Sequence, residues 1–202
     1  MKTNPRQIAF DQMAMVWDEQ VPVPSQERID ELLNGLEMGG EIIVDIGTGT
    51  GVMIPFLLNL NPEHVWAVDL SQVMLQKVKE KYGGSKKLRT IQAEAEKLPF
   101  PDCCVKLILC NGVYPHFSDK CRALREFHRI LKKDGVLIIN HFIGRAEINK
   151  IHSQAEAEIL RVDLLEPVIE VAKLVKKVGF RIMEKKDTEE LFRIRAVKTG
   201  NG

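Results

Sequence analysis

Two patterns of apolar residues alternate along this chain. Short continuous apolar runs, bounded by glycine, proline or polar turns, are typical of buried strands. They predict strands at residues 41–46, 65–68, 88–92, 105–110, 136–142, 180–184 and 191–197. Between them, apolar residues three or four positions apart predict helices. These helices cover residues 26–36, 52–60, 71–82, 118–131, a stretch that reaches 155–158, and 167–178.

Strands that alternate with helices predict an α/β protein with a largely parallel sheet and helices on both faces. The last two strands differ, because the loop at residues 185–190 is too short for the crossover that parallel strands need. They are therefore expected to form an antiparallel hairpin at the end of the chain. Ligands of such sheets bind beyond the carboxyl ends of the strands. The loops expected to bind a ligand are therefore those at residues 45–51, 69–71, 93–98, 110–117 and 140–145.

The first 25 residues stand apart from this alternation. They contain several apolar side chains, among them Phe10 and Trp17, and are too apolar for a free tail. This composition predicts a short helical arm or lid that lies on the main body, or packs against a second subunit. A chain of 202 residues otherwise fits one domain, which we place at residues 26–202.

Charge and composition exclude several classes of protein. The 29 Lys and Arg residues nearly balance the 28 Asp and Glu residues, and aromatic residues make up only 6%. A nucleic-acid partner is not expected, because a surface built for phosphates has a clear basic excess. No apolar run is long enough for a membrane span, and residues 1–10 show no signal peptide. The 4 cysteines form no C-x-x-C pair, which predicts reduced thiols in a cytoplasmic protein and no metal site.

The most specific segment is a glycine-rich turn that follows a predicted strand and opens a predicted helix. Gly47, Gly49 and Gly51 let the backbone approach a ligand closely, and the helix start offers free N–H donors. Val52 stands where a dinucleotide loop has its third glycine, and the Gly-Lys-Ser/Thr of a P-loop is absent. Asp45 would repel a pyrophosphate but suits an ammonium group. The pattern favours a ligand with a cationic end, such as the amino acid end of S-adenosylmethionine.

Two further carboxylates follow the next predicted strands. Asp69 ends the second strand, where an acid accepts hydrogen bonds from both ribose hydroxyls, and Leu70 beside it can cover one face of a base. Glu94 follows the third strand, where it can accept from an adenine amino group while the Ala95 N–H donates to the ring. Asp69 as a simple helix cap, and Glu94 as a solvated helix start, are the structural alternatives.

Four motifs together resemble those of a known family. The motifs VDIGTGTG at 44–51, VDLS at 68–71, AEAEKLPFPD at 93–102 and ALREFHRILKKDGVLII at 123–139 are similar to those of small class I, "type 11", S-adenosylmethionine-dependent methyltransferases. The resemblance implies a Rossmann-like, doubly wound, mostly parallel seven-stranded sheet with an antiparallel C-terminal hairpin strand. It also implies S-adenosylmethionine as methyl donor and S-adenosylhomocysteine as product.

The resemblance assigns cofactor roles residue by residue. The assigned positions are Asp45, Gly47, Thr48, Gly49, Gly51, Asp69, Leu70, Glu94, Ala95, Asn111 and Val113. Asn111 and Val113 are expected to border the sulfonium. The chain departs from the family in having Glu94 where Asp is usual, and Lys133-Asp134-Gly135 where Pro-Gly-Gly is usual. The first change is chemically equivalent, and the second lies in a structural turn.

Candidates for contact with the methyl acceptor lie on the loops after the fourth and fifth predicted strands. Tyr114, His116 and His141 are the catalytic candidates, and His152 is a weaker one. Methyl transfer can proceed through alignment alone, and a base is needed only when the acceptor must lose a proton. The structural alternative for each histidine is a hydrogen-bonded residue in the wall of the cleft.

These observations predict a cytoplasmic enzyme that methylates a small molecule, present as a monomer or a homodimer. Three alternatives stay open. They are a protein that binds the cofactor without turnover, as a partner subunit or sensor; a methyltransferase that acts on RNA or protein; and a nicotinamide-dependent reductase. Val52 and the terminal hairpin argue against the reductase.

Overall fold

The computed structural model describes residues 4–21 and 23–200. Its centre is a seven-stranded sheet with the strand order β3-β2-β1-β4-β5-β7-β6. The strands are β1 (Ile42–Ile46), β2 (His64–Asp69), β3 (Leu88–Gln92), β4 (Val105–Asn111), β5 (Leu131–His141), β6 (Phe180–Asp187) and β7 (Phe192–Lys198). β1 to β5 pair in parallel, and β7 runs antiparallel to both β5 and β6. The predicted mostly parallel sheet and its terminal hairpin are confirmed.

Nine α-helices are present among the described residues. They are α1 (Pro5–Met13), α2 (Trp17–Gln20), α3 (Gln26–Leu33), α4 (Ile54–Asn59), α5 (Gln72–Tyr82), α6 (Lys120–Ile130), α7 (Arg145–Ser153), α8 (Glu158–Arg161) and α9 (Val168–Val178). A short 3-10 helix spans Tyr114–His116. Within residues 4–21 and 23–200, no helix has the length and apolar character needed to cross a bilayer.

A hydrophobic core lies on each face of the sheet, because strand residues alternate between the two faces. On one face, β1 residue Val44 and β5 residue Ile139 pack with α6 and α9 side chains such as Phe127 and Val175. On the other, Ile43 packs with residues of α3, α4 and α5. Such burial on both faces explains why the central strands read as continuous apolar runs. It also leaves the carboxyl ends of the strands as the place for polar chemistry.

Several element boundaries differ from the sequence-based expectation. Asp119, rather than Ser118, caps α6, because its carboxylate accepts the Arg122 N–H. The predicted turn at 133–135 lies inside β5, which begins at Leu131 and accommodates Asp134 at φ 58°. The expectation of helix at 155–158 was wrong for 155–157, where α7 has ended and α8 begins only at Glu158. The helix predicted to reach 36 ends at Leu33.

Candidate functional site

The loop between β1 and α4 has a backbone that requires glycine. Gly47, Gly49 and Gly51 have φ angles of 63°, 56° and 89°, in the left-handed region that side chains rarely adopt. A Cβ added at Gly47 would lie 2.2 Å from Cγ2 of Val113. The segment after β4 therefore packs directly on the glycine loop. This contact brings together Val113 and Gly47, which the sequence motifs both assigned to the cofactor site.

Two carboxylates hold this loop at the carboxyl ends of β1 and β2. The Gly49 N–H donates to Asp69 Oδ2 over 2.9 Å, and the Ser71 N–H donates to Oδ1 over 2.8 Å. The Thr48 hydroxyl donates to Asp45 Oδ2 over 2.7 Å. The structure thus joins Asp45, Thr48, Gly49 and Asp69 into one site, although they come from two strands.

The electrostatics of these carboxylates are unusual for surface loops. Asp45 is 2% exposed and Asp69 is 8% exposed. Burial raises the pKa of Asp45 to about 7, with repulsion by Asp69 adding to the shift. Burial likewise raises the pKa of Asp69 to about 6. Because neither has a basic partner among the described residues, the site suits a ligand that brings positive charge and hydroxyl donors.

The residues predicted to read the base lie on the same rim. The last pair in the β2–β3 register joins Asp69 to Gln92, and Glu94 and Ala95 follow directly. Glu94 is exposed, Ala95 is buried and Leu70 is half-buried. The Glu94 carboxylate accepts a hydrogen bond from the Asn4 side-chain amide over 3.3 Å. Glu94 is therefore accessible from solvent.

An arm formed by α1 and α2 lies over this rim. The Ser71 hydroxyl donates to Asp11, and the Thr50 hydroxyl donates to Asp18. A Cβ added at Gly49 would lie 3.2 Å from the indole nitrogen of Trp17. The arm thus contacts both the glycine loop and the start of α5.

Three histidines and one aspartate gather on the side predicted to face the methyl acceptor. His116 Nδ1 lies 3.0 Å from Oδ2 of Asp163, and the His116 and His152 ring centroids are 4.7 Å apart. Arg6 donates to both oxygens of Asp163, over 3.0 and 2.6 Å. Burial raises the pKa of Asp163, but the hydrogen bonds from His116 and Arg6 outweigh it, so the net pKa is lowered. His141, at the end of β5, is 5% exposed, and burial lowers its pKa to about 3.

These contacts separate the three catalytic candidates. His116 has one ring nitrogen fixed by a carboxylate, and its Nε2 forms no hydrogen bond with the residues that the structure describes. His141 is uncharged at neutral pH. Its Nε2 is buried and has no hydrogen-bond partner in the described part of the chain. Tyr114 is 1% exposed and packs edge-to-face on Phe117, and burial raises its pKa far above the usual range. Its placement favours packing, and its catalytic role stays an untested prediction.

Sequence reasoning missed Asp163 and Arg6, the two partners of His116. Arg6 belongs to the arm and is 157 positions from Asp163. Asp163 follows the short α8, where no apolar periodicity indicates a structured segment. No local signal pairs such residues. Within residues 4–21 and 23–200, no group of three or more His, Cys, Asp or Glu side chains has the arrangement to hold a metal ion.

Comparison with known proteins agrees with this geometry. Residues 44–139 match a family described as "Methyltransferase domain". The match covers the glycine loop, both buried carboxylates, strands β2 to β4 and most of β1 and β5. Residues 44–139 therefore form a methyltransferase domain, and the resemblance seen in the motifs is confirmed.

Two curated relatives share this domain. A malonyl-(acyl-carrier protein) O-methyltransferase of Halorhodospira halophila is 33% identical over 138 residues, 66% of this chain and 46% of the relative. A ubiquinone/menaquinone biosynthesis C-methyltransferase of Vibrio vulnificus is 32% identical over 108 residues, 51% of this chain and 42% of the relative. The matches span less than half the length of each relative.

Solved structures extend the likeness over nearly the whole chain. A S-adenosylmethionine-dependent methyltransferase from Aquifex aeolicus has a TM-score of 0.73 and 20% identity, covering 93% of this chain and 97% of that one. The 4+2 cyclase SpnF has a TM-score of 0.75 and 15% identity, covering 97% and 96%. Similarity at this level shows the shared fold.

Proposed function

We propose that this protein transfers a methyl group from S-adenosylmethionine to a small-molecule acceptor. The observation that carries this proposal is the pair of buried carboxylates, Asp45 and Asp69, beside a glycine loop with left-handed backbone. A dinucleotide would place a pyrophosphate on the same loop, next to the charge of Asp45. A ligand with an ammonium group and a ribose instead supplies one cation and two hydroxyl donors to two carboxylates that have no basic partner within residues 4–21 and 23–200.

The chain's own residues fit this cofactor position by position. Asp45 neutralises the ammonium group, and Asp69 accepts from the ribose hydroxyls with the oxygen lone pairs that Gly49 and Ser71 leave free. The remaining roles belong to side chains along the rim: Gly47, Thr48, Gly51, Leu70, Glu94, Ala95, Asn111 and Val113. When bound, the cofactor supplies a methyl group on a cationic sulfur.

On the acceptor side, we assign general-base chemistry to His116. Its Nδ1 proton is held by Asp163, so its Nε2 lone pair is directed away from that carboxylate. Asp163 acts as a positioning residue, and Arg6 in turn fixes the Asp163 carboxylate. His141 is held uncharged by burial and lines the same wall.

Three observations bear on the alternatives. A small acceptor is favoured because the arm and the segment around α7 and α8, which flank the histidines, are short helices. The two relatives described above are named for a carrier-bound acceptor and for quinone biosynthesis. A chain with the same fold named as a cyclase shows that the fold alone does not fix the reaction. A cytoplasmic location is a further proposal, supported by the four free cysteines. A monomeric or homodimeric state is proposed as well.

Turnover is tested by release of S-adenosylhomocysteine in the presence of acceptor panels. His116→Gln keeps the size of the side chain but removes its basic nitrogen. We expect kcat to fall by roughly 10²–10⁴ for acceptors that lose a proton. The dissociation constant for S-adenosylmethionine is expected to stay the same. Equal kcat in wild type and variant would contradict the assigned role.

We also propose that the arm is a lid over the cofactor. The chain has two tryptophans, Trp17 on the arm and Trp66 in β2. In Trp66→Phe, S-adenosylhomocysteine is expected to shift or quench the emission of Trp17, because that indole lies against Gly49. In the matched Trp17→Phe variant, the remaining Trp66 packs on Phe100 and should not respond. A response in the second variant alone would contradict the lid.

A further inference from the structure

A chain of three polar side chains lies beneath the cleft and links β7, β5 and β4. Arg193 Nε donates to Asn140 Oδ1 over 3.0 Å, and Asn140 Nδ2 donates to Asn111 Oδ1 over 2.8 Å. Arg193 is 1% exposed and Asn140 is 0% exposed. Glu31 lies 3.4 Å from Arg193 Nη1 and anchors the guanidinium from the other side.

The direction of these bonds follows from chemistry. A guanidinium has donors and no acceptor, so the atom of Asn140 that faces Arg193 must be its oxygen. The Asn140 NH2 group then faces Asn111, and the atom of Asn111 that receives it must also be oxygen. Arg193 therefore fixes the orientation of both amides. With its oxygen bound to Asn140, the Asn111 side chain directs its NH2 group toward the cleft.

Asn111 ends β4 at the rim where the sulfonium is expected, next to the place that a methyl acceptor must reach. In the sheet, Asp45 pairs with Leu109, and side chains two positions apart on a strand share a face. Asn111 thus projects from the same face as Asp45. It is half-buried, and its Nδ2 donates to none of the residues that the structure describes. Val113, two positions further, packs on Gly47.

We propose that Asn111, oriented by Asn140 and Arg193, donates its N–H to the methyl acceptor, and that the acceptor carries an anionic oxygen at or beside its reacting atom. Carboxylates, phenolates and enolates share this chemistry. An amine would instead need a hydrogen-bond acceptor in the cleft, facing its N–H groups. The inference rests on the proposed methyl transfer. Asn111 holds the oxyanion in place, and Asn140 and Arg193 are positioning residues.

The step balances without a further reactant. A lone pair of the acceptor forms the new bond to the methyl carbon, while the C–S bond breaks and its electrons return to sulfur. The negative charge of the acceptor cancels the positive charge of the sulfonium. An acceptor that starts as a hydroxyl gives its proton to Nε2 of His116.

One conservative substitution is expected to reverse the polarity of Asn111. In Asn140→Asp, the new carboxylate still accepts from Arg193, so this hydrogen bond is kept and becomes a buried ion pair. It has no N–H for the Asn111 oxygen, so the Asn111 amide turns, donates to that carboxylate and directs its oxygen into the cleft. Asn61→Asp, an exposed amide-to-acid change on the turn before β2, is the matched control.

The test uses benzoate and benzylamine as probes, titrated into the protein saturated with S-adenosylhomocysteine. Side-chain amide signals are followed by ¹⁵N NMR. We expect benzoate to shift the Asn111 NH2 signals in wild type and in Asn61→Asp. In Asn140→Asp, we expect benzoate to bind about tenfold more weakly, the loss of one charge-assisted hydrogen bond.

Three results would overturn the inference: stronger binding of benzylamine than of benzoate in wild type, no response of Asn111 to either probe, or benzoate binding unchanged in Asn140→Asp. A failure of the proposed function gives a different result, because S-adenosylhomocysteine itself would then not bind to the protein. The probe titrations are therefore repeated without it, so that the orientation of Asn111 is decided in either case.

Discussion

Asp45→Asn is expected to make the free protein more stable and to weaken its binding of cofactor. Asparagine has the size of aspartate and keeps an oxygen that accepts from the Thr48 hydroxyl. It removes a buried charge that has no basic partner among the described residues and that lies close to Asp69. At pH 8 we expect the free energy of unfolding to rise by about 1–3 kcal/mol. Thermal or urea denaturation measures this change.

The pH dependence of stability follows from the raised pKa of Asp45. Its pKa is about 7 in the folded protein, against about 4 in an unfolded chain. Between these values the folded state holds the proton more tightly, so the free energy of unfolding decreases as pH rises through this window. In Asp45→Asn this decrease should be smaller. The control variant is Asp30→Asn, in which the same chemical change removes an exposed carboxylate.

Cofactor binding should respond in the opposite direction. An ammonium group favours the ionised form of Asp45, so affinity for S-adenosylmethionine should fall as pH drops below about 7. Asp45→Asn should weaken binding by roughly tenfold to a hundredfold at pH 8, the loss of one charge-assisted contact. Calorimetric titration measures both effects. A variant that binds as tightly as wild type would exclude the assigned role of Asp45.

Gly47→Ala is the substitution expected to disturb the site most. Left-handed backbone costs an alanine about 1–2 kcal/mol. The added methyl would also lie 2.2 Å from Val113 Cγ2, so the loop or the β4 segment must move. Because both segments line the proposed cofactor site, we expect affinity for S-adenosylhomocysteine to fall at least about tenfold.

Gly35→Ala separates backbone strain from the steric effect. Gly35 has φ of 71°, close to that of Gly47, but nothing lies within 4 Å of an added Cβ. The Gly35→Ala variant should lose stability through backbone strain alone and keep its full affinity for S-adenosylhomocysteine. Equal affinities of the two variants would show that the contact between Gly47 and Val113 is not needed for binding.

The parts of this molecule that local rules govern could be predicted from its sequence. Continuous apolar runs indicated buried strands, and a loop too short for a crossover indicated the antiparallel β7. The glycine loop and Asp69 were predictable because each follows a strand directly, where the fold places ligands. The exact start of β5 was not, since Asp134 and Gly135 resemble an ordinary turn but lie within the strand.

Contacts between distant segments could not be predicted in the same way. His116 was identified as a candidate, but its partner Asp163 and the arm residue Arg6 come from opposite ends of the chain. Likewise, Asn111 was assigned a place near the sulfonium, while its orientation depends on Arg193, which reaches it only through β5 and β7 pairing. Tertiary packing, rather than local pattern, determines these polar networks.

The most direct test of the central claim is calorimetric titration of the wild-type protein and Asp69→Ala with S-adenosylmethionine and S-adenosylhomocysteine, beside NADH. The account predicts micromolar binding of the sulfonium compound and its product, no binding of NADH, and strong loss of affinity in a variant whose thermal melt is still cooperative. Absence of binding by both S-adenosyl compounds, or binding of NADH in their place, would contradict it.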